Sequence, residues 1–248
     1  ASDYVQTLAN MPEDMREAHL NGNWDVFSGM FFTEWDEDIH VVKEIDIKPW
    51  WRKTAAIDYG LDCFAVVWVA IDENGRAYVY RNIEEQGLPV EYAIERFRRL
   101  TSEKIEAIYA PPDLWNRHSD TGISTAEMFS SKGFPLIQSS NAREAGWLNV
   151  KEYLMTEDGK GNKEGYPKML FLKGLPINDH MPVLQHDQKK VNDVSTEPHE
   201  ITHSPDALRY WCVKRQLGTK KPEEVKPDPW GMNKKPKRRI NGYPMGGY

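Results

Sequence analysis

The stretch of residues 53–81 constrains the fold of this 248-residue chain most, because its pattern predicts three short consecutive strands. The apolar residues 55–57 lead into Asp58, which is followed by a Tyr-Gly break. Residues 64–71 are too hydrophobic for one face to be wet, so they should form a central strand covered on both sides. Asn74-Gly75 then accepts the positive φ angles of a tight turn, which predicts a hairpin. A sheet should therefore begin here, with a carboxylate at the end of its first strand.

The rest of the chain predicts helices that alternate with strands. After Pro89, apolar residues recur at helical spacing as far as Leu100. Ser204 can cap the last helix, with Pro205 at its first position and Gly218 at its end. Further helices are predicted at 124–133, 141–155 and 180–190, and further strands at 105–109, 134–138 and 169–172. This order is typical of a mixed α/β sheet flanked by helices.

The N-terminal part of the chain has the pattern of an arm. Residues 1–25 are polar and helical in pattern, and the stretch after them holds too many aromatic residues for a solvated linker. These aromatic residues are Trp24, Phe27, Phe31, Phe32 and Trp35. They are expected to pack on the main domain as an arm or a short strand pair. The predicted organisation is a linker arm at 1–50, an α/β domain at 51–217 and a flexible basic tail at 218–248.

The charge of the chain is unevenly distributed. The formal net charge is −6. Residues 218–248 carry eight Lys or Arg side chains and three acidic ones, a net charge of +5, so residues 1–217 sum to −11. A basic tail suits contact with nucleic-acid phosphates or plain solvation, and both interpretations stay open. An acidic body suits metal binding or solubility.

Several classes of protein do not fit the sequence. No apolar run approaches the roughly 20 residues of a membrane span, and the first residues lack the features of a secretion signal, so a cytosolic protein without a membrane partner is expected. Cys63 and Cys212 stand in apolar runs, which favours core positions over a disulfide or zinc framework. No GxxxxGK segment followed by Ser or Thr occurs, so ATP hydrolysis by a phosphate-binding loop of that type is not expected.

Three aspartates occupy comparable places in the predicted elements. Asp58 ends the first strand, Asp113 follows the fourth, and Asp206 lies in the first turn of the last helix. If the first and fourth strands are neighbours, Asp58 and Asp113 emerge at one edge of the sheet, where the helix start can complete an oxygen cage. Such cages bind hard divalent cations such as Mg²⁺, and two ions about 3.5–4 Å apart can drive phosphodiester hydrolysis. Taken singly, the three residues also fit a turn, a loop and a helix start.

Two histidines near the last helix admit a different interpretation. His199 and His203 stand four residues apart beside Glu200, as in a zinc-binding helix. Pro198 and Pro205 on either side argue against one long helix there. His203 could instead assist at the metal centre by proton transfer or by placing a water molecule.

Five segments together resemble the nuclease domain of the phage terminase large subunit, the DNA-packaging motor of tailed bacteriophages. HSPDALRYW is similar to the last motif of that family, in which a His stands three residues before a metal-binding Asp. IDYGLD resembles the first motif and YAPPD the second. NAREAGWLNVKEYL resembles the helix that stands between the motifs, here after YAPPD and before HSPDALRYW. LNGNWDVFSGMFFTEW resembles the segment that joins the ATPase domain to the nuclease. The likeness runs in order from near residue 5 to residue 217.

The resemblance implies an RNase H-like fold and cleavage of double-stranded DNA that depends on two Mg²⁺ or Mn²⁺ ions. It implies metal binding by Asp58, Asp113 and Asp206, with His203 nearby as a further catalytic candidate. A fourth acid is left open, with candidates Asp62, Asp193 and Glu200. Implied partners are a portal protein, a small terminase subunit and the ATPase domain of the same large subunit, in the cytoplasm of the host cell during virion assembly. Because this chain lacks the P-loop of that ATPase, an excised nuclease domain, or a chain whose motor half is separate, is expected.

The predicted function is a sequence-tolerant endonuclease, because packaging must end wherever the head is full and the chain has no obvious base-reading module. Two alternatives stay open. One is a resolvase- or transposase-type enzyme of the same fold that acts on branched or terminal DNA. The other is a non-catalytic module that holds DNA or the portal while another subunit cuts.

Overall fold

Seven strands form one mixed sheet within residues 29–60, 62–155 and 167–214, the part of the chain that the computed structural model describes. The strands are β1 (Val41–Val42), β2 (Arg52–Tyr59), β3 (Cys63–Ile71), β4 (Ala77–Gln86), β5 (Ile108–Ala110), β6 (Leu136–Gln138) and β7 (Met169–Leu172). The helices are α1 (Glu37–His40), α2 (Val90–Leu100), α3 (Thr125–Ser131), α4 (Arg143–Leu154), α5 (Pro176–His180) and α6 (His203–Cys212). Across the sheet the strand order is β1-β7-β4-β3-β2-β5-β6. This architecture confirms the predicted mixed α/β sheet flanked by helices.

The centre of the sheet is the antiparallel run of β2, β3 and β4. All nine residues of β3 are buried, because β3 lies between two strands and has helices on both faces. The predicted hairpin joins β3 to β4. Asp72 Oδ1 accepts the backbone N–H groups of Asn74 and Arg76, and Gly75 has a φ of 83°. Glycine adopts such a φ without strain, which explains why the Asn-Gly pattern predicts this turn correctly.

The pairing of β2 with β5 determines which residues meet at one edge of the sheet. The two strands are parallel, with Ala55 opposite Ile108 and Ala56 opposite Tyr109. Parallel neighbours end at the same edge, so the segments that follow β2 and β5 emerge close together. This pairing confirms the expectation that the first and fourth of the predicted strands are neighbours.

Helices cover the two faces of the sheet with different side chains. On one face, here called the α6 face, α4 and α6 pack Trp147 and Trp211 over the sheet. On the other, called the α2 face, α2 and α3 build the core around Phe97. Trp211 Nε1 donates a hydrogen bond of 2.7 Å to Thr54 Oγ1, so Thr54 points to the α6 face. Side chains alternate along a strand, and Asp58 therefore points to the α6 face as well.

The aromatic residues near the start of the described chain belong to the main core. Phe31, Phe32 and Trp35 are buried. Phe31 and Phe32 contact Trp147 edge to face, and Trp35 contacts Phe171 in the same manner. The prediction that these aromatic residues pack on the main domain is confirmed for these three. β1 follows them and extends the sheet by pairing with β7.

Several predictions concern residues outside the described part of the chain. They include the helix within residues 1–25, the packing of Trp24 and Phe27, the end of the last helix at Gly218 and the basic tail at 218–248. The boundaries of arm, domain and tail therefore stay predictions. Among the described helices, none has the length and apolar character needed to cross a membrane.

The helix predicted at 180–190 is wrong in its position. The structure instead has the short helix α5, which runs from Pro176 to His180 and ends where this range begins. A 3-10 turn at Met181–Val183 follows, and the chain then becomes extended. Pro182 explains the early end, because a proline ring has no N–H group to donate and clashes with the preceding turn of an α-helix.

The predicted start of the last helix is also wrong by two residues. Thr202 is the N-cap, and His203 is the first helical residue. Ser204 therefore lies inside the first turn. Its hydroxyl accepts a hydrogen bond of 2.7 Å from Asn82 Nδ2, and its backbone N–H donates to Glu84 Oε1 at 3.1 Å. Partners on β4 thus replace the local cap that the sequence predicts.

Candidate active site

Asp58 lies on the α6 face in a row of paired residues that crosses three strands. Asp58 is opposite Ala65 of β3, and Ala65 is opposite Glu84 of β4. Two carboxylates therefore share one face, with the small Ala65 side chain between them. The Asp58 side chain is 21% exposed. Loss of hydration raises its pKa, the hydrogen bond from His203 opposes this rise, and the negative charge of Asp206 adds to it.

His203, the first residue of α6, lies between two aspartates. Its Nδ1 is 3.2 Å from Asp58 Oδ2, and its Nε2 is 3.3 Å from Asp62 Oδ2. The residue is 6% exposed. The hydrogen bond with Asp58 raises the pKa of the imidazole, burial opposes this rise, and the charges of Asp58, Asp62 and Glu84 add to it. These contacts therefore favour the protonated form of the imidazole more than bulk water does.

Asp206 follows His203 by three residues, so both project from the first turn of α6. Asp206 Oδ1 accepts a hydrogen bond of 2.8 Å from Arg209 Nε, and Arg209 Nη2 lies 2.7 Å from the same oxygen. Arg143 of α4 donates from Nη1 to Oδ1 at 3.2 Å and to Oδ2 at 3.3 Å. Two guanidinium groups therefore orient the Asp206 carboxylate, mainly through Oδ1, and Oδ2 accepts the longer bond from Arg143.

A close approach between two helices accommodates Arg209. The side chain is 1% exposed, and its guanidinium carbon lies 5.2 Å from the centroid of the Trp147 ring. A Cβ atom at Gly146 of α4 would lie 2.7 Å from Arg209 Cγ. Glycine inside a helix costs about 0.5–1 kcal/mol relative to alanine, so its presence in α4 is explained by the space that Arg209 needs.

Asp113 lies in a short 3-10 helix, Pro112–Trp115, directly after β5. The parallel pairing of β2 with β5 puts it at the edge of the sheet where Asp58 lies. Its side chain is exposed, and among the described residues no hydrogen bond or ion pair reaches its carboxylate. The structure thus brings Asp58, His203 and Asp206 into one cluster and places Asp113 at the rim of the same edge, without direct contact.

Glu84 is a member of the cluster that the sequence does not reveal. Its Oε1 accepts the Ser204 N–H and lies 3.2 Å from His180 Nδ1. Burial acts to raise its pKa, but the contacts with His180 and Ser204 outweigh burial and lower it. The register between β3 and β4 alone places Glu84 in the row of Asp58. The alternation of polar and apolar residues in β4 does not indicate which residue of β3 each of them faces.

Comparison with solved structures relates this fold to one group of proteins. The nuclease domain of the P22 large terminase matches with a TM-score of 0.60 and 15% identity, over 78% of this chain and 96% of that chain. A large terminase from a thermophilic bacteriophage matches with a TM-score of 0.58 and 16% identity, over 77% of this chain and 46% of that chain. This chain has the fold of a large-terminase nuclease domain. It spans about half the length of that thermophilic phage terminase.

The terminase-nuclease fold agrees with the resemblance found in the motifs. A third match, at a TM-score of 0.51 and 14% identity, is the large terminase nuclease of the thermophilic phage G20c with bound magnesium, over 75% of this chain and 96% of that chain. Comparison with family models and with curated protein sequences finds no match. These matches confirm the fold of a large-terminase nuclease domain that the motifs imply.

The terminase-nuclease fold places the three candidates for a fourth acid differently. Asp62 lies beside His203, at the cluster. Asp193 accepts hydrogen bonds from Arg143 Nε at 2.9 and 3.1 Å and from Trp147 Nε1 at 2.9 Å. Its carboxylate is therefore held by side chains of α4. Glu200 is exposed in a 3-10 turn, His199–Ile201. Asp62 is therefore the candidate that contacts the same residue, His203, as Asp58 does.

The donor set of the cluster fits a hard divalent cation. Asp58, Asp113 and Asp206 offer carboxylate oxygens at one edge of the sheet, and such cations prefer oxygen ligands. The pKa of Asp58 is raised by burial and partly by the charge of Asp206, which indicates two anionic groups close together. A bound cation would relieve that repulsion.

Proposed function

We propose that this chain is the nuclease domain of a phage DNA-packaging terminase and cuts double-stranded DNA in a metal-dependent reaction. The observation that carries the proposal is the cluster of Asp58, His203 and Asp206, with Asp113 at the same edge of the sheet. Carboxylates after two parallel strands and in a helix turn make an oxygen-rich site suited to Mg²⁺ or Mn²⁺. The terminase-nuclease fold supports the proposal, as does the magnesium bound to the G20c nuclease.

Each residue of the cluster has a distinct part in the proposed reaction. Asp58, Asp113 and Asp206 would hold two divalent ions. Ions held in this way activate a water molecule and stabilise the leaving oxygen of a phosphodiester. His203 holds Asp58 Oδ2 and leaves Oδ1 without that hydrogen bond. Arg209 holds Asp206 Oδ1 in a comparable way. In each carboxylate, a hydrogen bond to one oxygen therefore fixes the orientation of the other oxygen.

The proposed cleavage depends little on base sequence, because the phosphodiester backbone is common to all DNA. Contacts to phosphates dominate binding of that kind, so affinity should fall steeply as the salt concentration rises. The proposed partners are an ATPase domain of the same large subunit, a small terminase subunit and a portal protein. The proposed location is the cytoplasm of the host cell during assembly.

The proposal is tested by incubating purified protein with plasmid and linear duplex DNA in Mg²⁺ or Mn²⁺. We expect the wild type to cut both and Asp58→Asn to cut neither. Asp38→Asn is the matched control, because Asp38 is an exposed aspartate in α1, outside the cluster. Equal cleavage by wild type and Asp58→Asn would show a contaminating nuclease and would contradict the proposal.

A second arm of the same experiment separates the enzymes that share this fold. A four-way junction and a linear duplex of equal length are offered at equal concentration. A packaging nuclease should cut both at similar rates, since it meets ordinary duplex. A strong preference for the junction would instead indicate a resolvase, and DNA binding without any cleavage would indicate a non-catalytic module.

A further inference from the structure

A second group of ligand-type atoms lies beside the carboxylate cluster. Asp62 Oδ2 is 2.7 Å from His199 Nε2 and 3.3 Å from His203 Nε2. One ligand atom from each of these three residues lies within 4.8 Å of the others. Asp62 comes from the turn between β2 and β3, whereas both histidines come from the start of α6 and the 3-10 turn before it. The fold, not the local sequence, brings them together.

The two nitrogens of His203 are placed for different tasks. Nδ1 is 3.2 Å from Asp58 Oδ2, so Nδ1–H can donate to that carboxylate, and in the neutral ring Nε2 then carries the lone pair. Nε2 faces Asp62 and His199. A carboxylate that accepts a hydrogen bond from one ring nitrogen while the other binds a metal is the usual support of a metal-binding histidine. His203 is buried and its ring lies against that of His199, with centroids 4.5 Å apart, which limits its rotation.

We infer that Asp62, His199 and His203 form a binding site for a transition-metal ion that prefers imidazole ligands, such as Zn²⁺ or Co²⁺. The inference depends on the proposed function in one respect, because both use the hydrogen bond between His203 and Asp58. It extends that function, because it adds a site with two nitrogen ligands beside one built from oxygen alone. Mg²⁺ suits the oxygen site, whereas imidazole suits the later transition metals.

The two separations measured from Asp62 Oδ2 suit such an ion after small adjustments. Tetrahedral ligands at about 2.0–2.1 Å from zinc lie about 3.3 Å from one another. His203 Nε2 already lies 3.3 Å from Asp62 Oδ2. His199 Nε2 lies closer to the same oxygen, at 2.7 Å. The side chains of His199 and Asp62 are 57% and 49% exposed, so they can shift without disturbing the core. Three protein ligands leave one position for water.

The inference predicts a specific pattern in a Co²⁺ titration of the purified chain, followed by visible absorption. With excess Mg²⁺ present to occupy the carboxylate site, the wild type should bind one Co²⁺ with bands of a four-coordinate nitrogen and oxygen site. His199→Ala and Asp62→Asn should each weaken that binding by at least about tenfold, since each removes a ligand. His118→Ala is the matched control, because His118 is an exposed histidine whose Nε2 lies 3.0 Å from Thr125 Oγ1, away from the three ligands.

Two further arms distinguish this site from the carboxylate site. Asp113→Asn should keep the Co²⁺ spectrum, and a large excess of Mg²⁺ should not displace the ion. Unchanged binding by His199→Ala, or equal losses in His199→Ala and His118→Ala, would overturn the inference. A loss in Asp113→Asn as large as that in His199→Ala would also overturn it, because the ion would then lie among the carboxylates. DNA cleavage by the wild type and by Asp58→Asn is scored separately in Mg²⁺, so failure of the nuclease proposal is told apart from failure of this one.

Discussion

The α6 face and the α2 face belong to the same sheet but are built from different side chains. The α6 face combines an apolar core with buried or half-buried charges, among them Glu84, His203 and Arg209. On the α2 face, Phe97 is stacked on Trp68 at 5.5 Å within a cluster of apolar residues. One face thus holds the carboxylate cluster, and the other consists mainly of hydrophobic contacts.

The difference between the faces shows how one sheet serves two purposes. A buried charge destabilises a fold unless partners compensate for its lost hydration. On the α6 face those partners are present: Arg209 and Arg143 hold Asp206, and His203 holds Asp58. These contacts orient carboxylates rather than add much stability. On the α2 face one half-buried ion pair, Arg81 with Glu103, lies beside Trp68, and apolar burial stabilises the domain.

The largest expected effect is on the chemistry of the α6 face. Asp58→Asn should reduce DNA cleavage by about 1000-fold, since a bound ion supplies several kcal/mol to the reaction. Its stability at pH 7 should not fall. The folded-state pKa of Asp58 is raised, so its contribution to stability is present below the unfolded pKa and is lost as the pH rises through the folded pKa. Cleavage assays and urea unfolding at pH 7 check both parts, and a large loss of stability would contradict the division of the two faces.

The next effect concerns the stability of the α2 face. Phe97→Ala should lower the free energy of unfolding by about 3–5 kcal/mol, because Phe97 is fully buried and its removal leaves a cavity. Cleavage per folded molecule should be retained. Tyr92→Ala on the same helix is the control, since Tyr92 is 66% exposed. Urea unfolding measures the stability of both variants, and similar losses in the two would refute the prediction.

A smaller effect tests the packing of the α6 face. Gly146→Ala should destabilise the protein by about 1–3 kcal/mol, because the new Cβ would overlap Arg209 Cγ. The sign of the change in stability is informative, since a substitution of glycine by alanine inside a helix ordinarily stabilises a protein by about 0.5–1 kcal/mol. Displacement of Arg209 should also reduce cleavage, because Arg209 orients Asp206. A thermal melt that shows stabilisation would mean that the two helices separate easily.

The smallest effect depends on pH. Glu84→Gln should lower the free energy of unfolding by about 1 kcal/mol at pH 7, since the ionised carboxylate binds the Ser204 N–H beside His180. The folded-state pKa of Glu84 is lowered, so its contribution is present above the unfolded pKa and is lost as the pH falls through the folded pKa. The difference between variant and wild type should therefore shrink in acid. Urea unfolding at several pH values measures it, and a difference independent of pH would show that Glu84 acts through packing.

Local patterns were sufficient for most of the fold. The apolar run at β3, the Asn-Gly turn and the helical spacing of α2 all concern neighbours in sequence, and the structure confirms them. One of the two errors falls where a distant partner decides. Ser204 does not cap α6 because Asn82 and Glu84 bind it from β4. Pro182, a local signal, would have limited the helix predicted at 180–190.

The candidate site was predictable in part. Asp58, Asp113 and Asp206 are candidates because each stands at the end or start of an element that the pattern marks, and the motifs that resemble a terminase nuclease name the same three. Glu84, Arg143 and Asp62 were harder to recognise, because their roles depend on strand register and on helix packing. Arg143 stands in a quoted motif, yet its contact with Asp206 crosses from α4 to α6.

The sequence by itself determined most of the strands and helices, and which aspartates stand at their ends, because these properties arise from the residues of each segment. The tertiary structure alone decided that Asp58 and Glu84 share a row, that Arg209 enters the space left by Gly146, and that Asp62 meets two histidines. Those contacts join residues far apart in the chain. Register and packing set them, and neither can be computed from the pattern of a single segment.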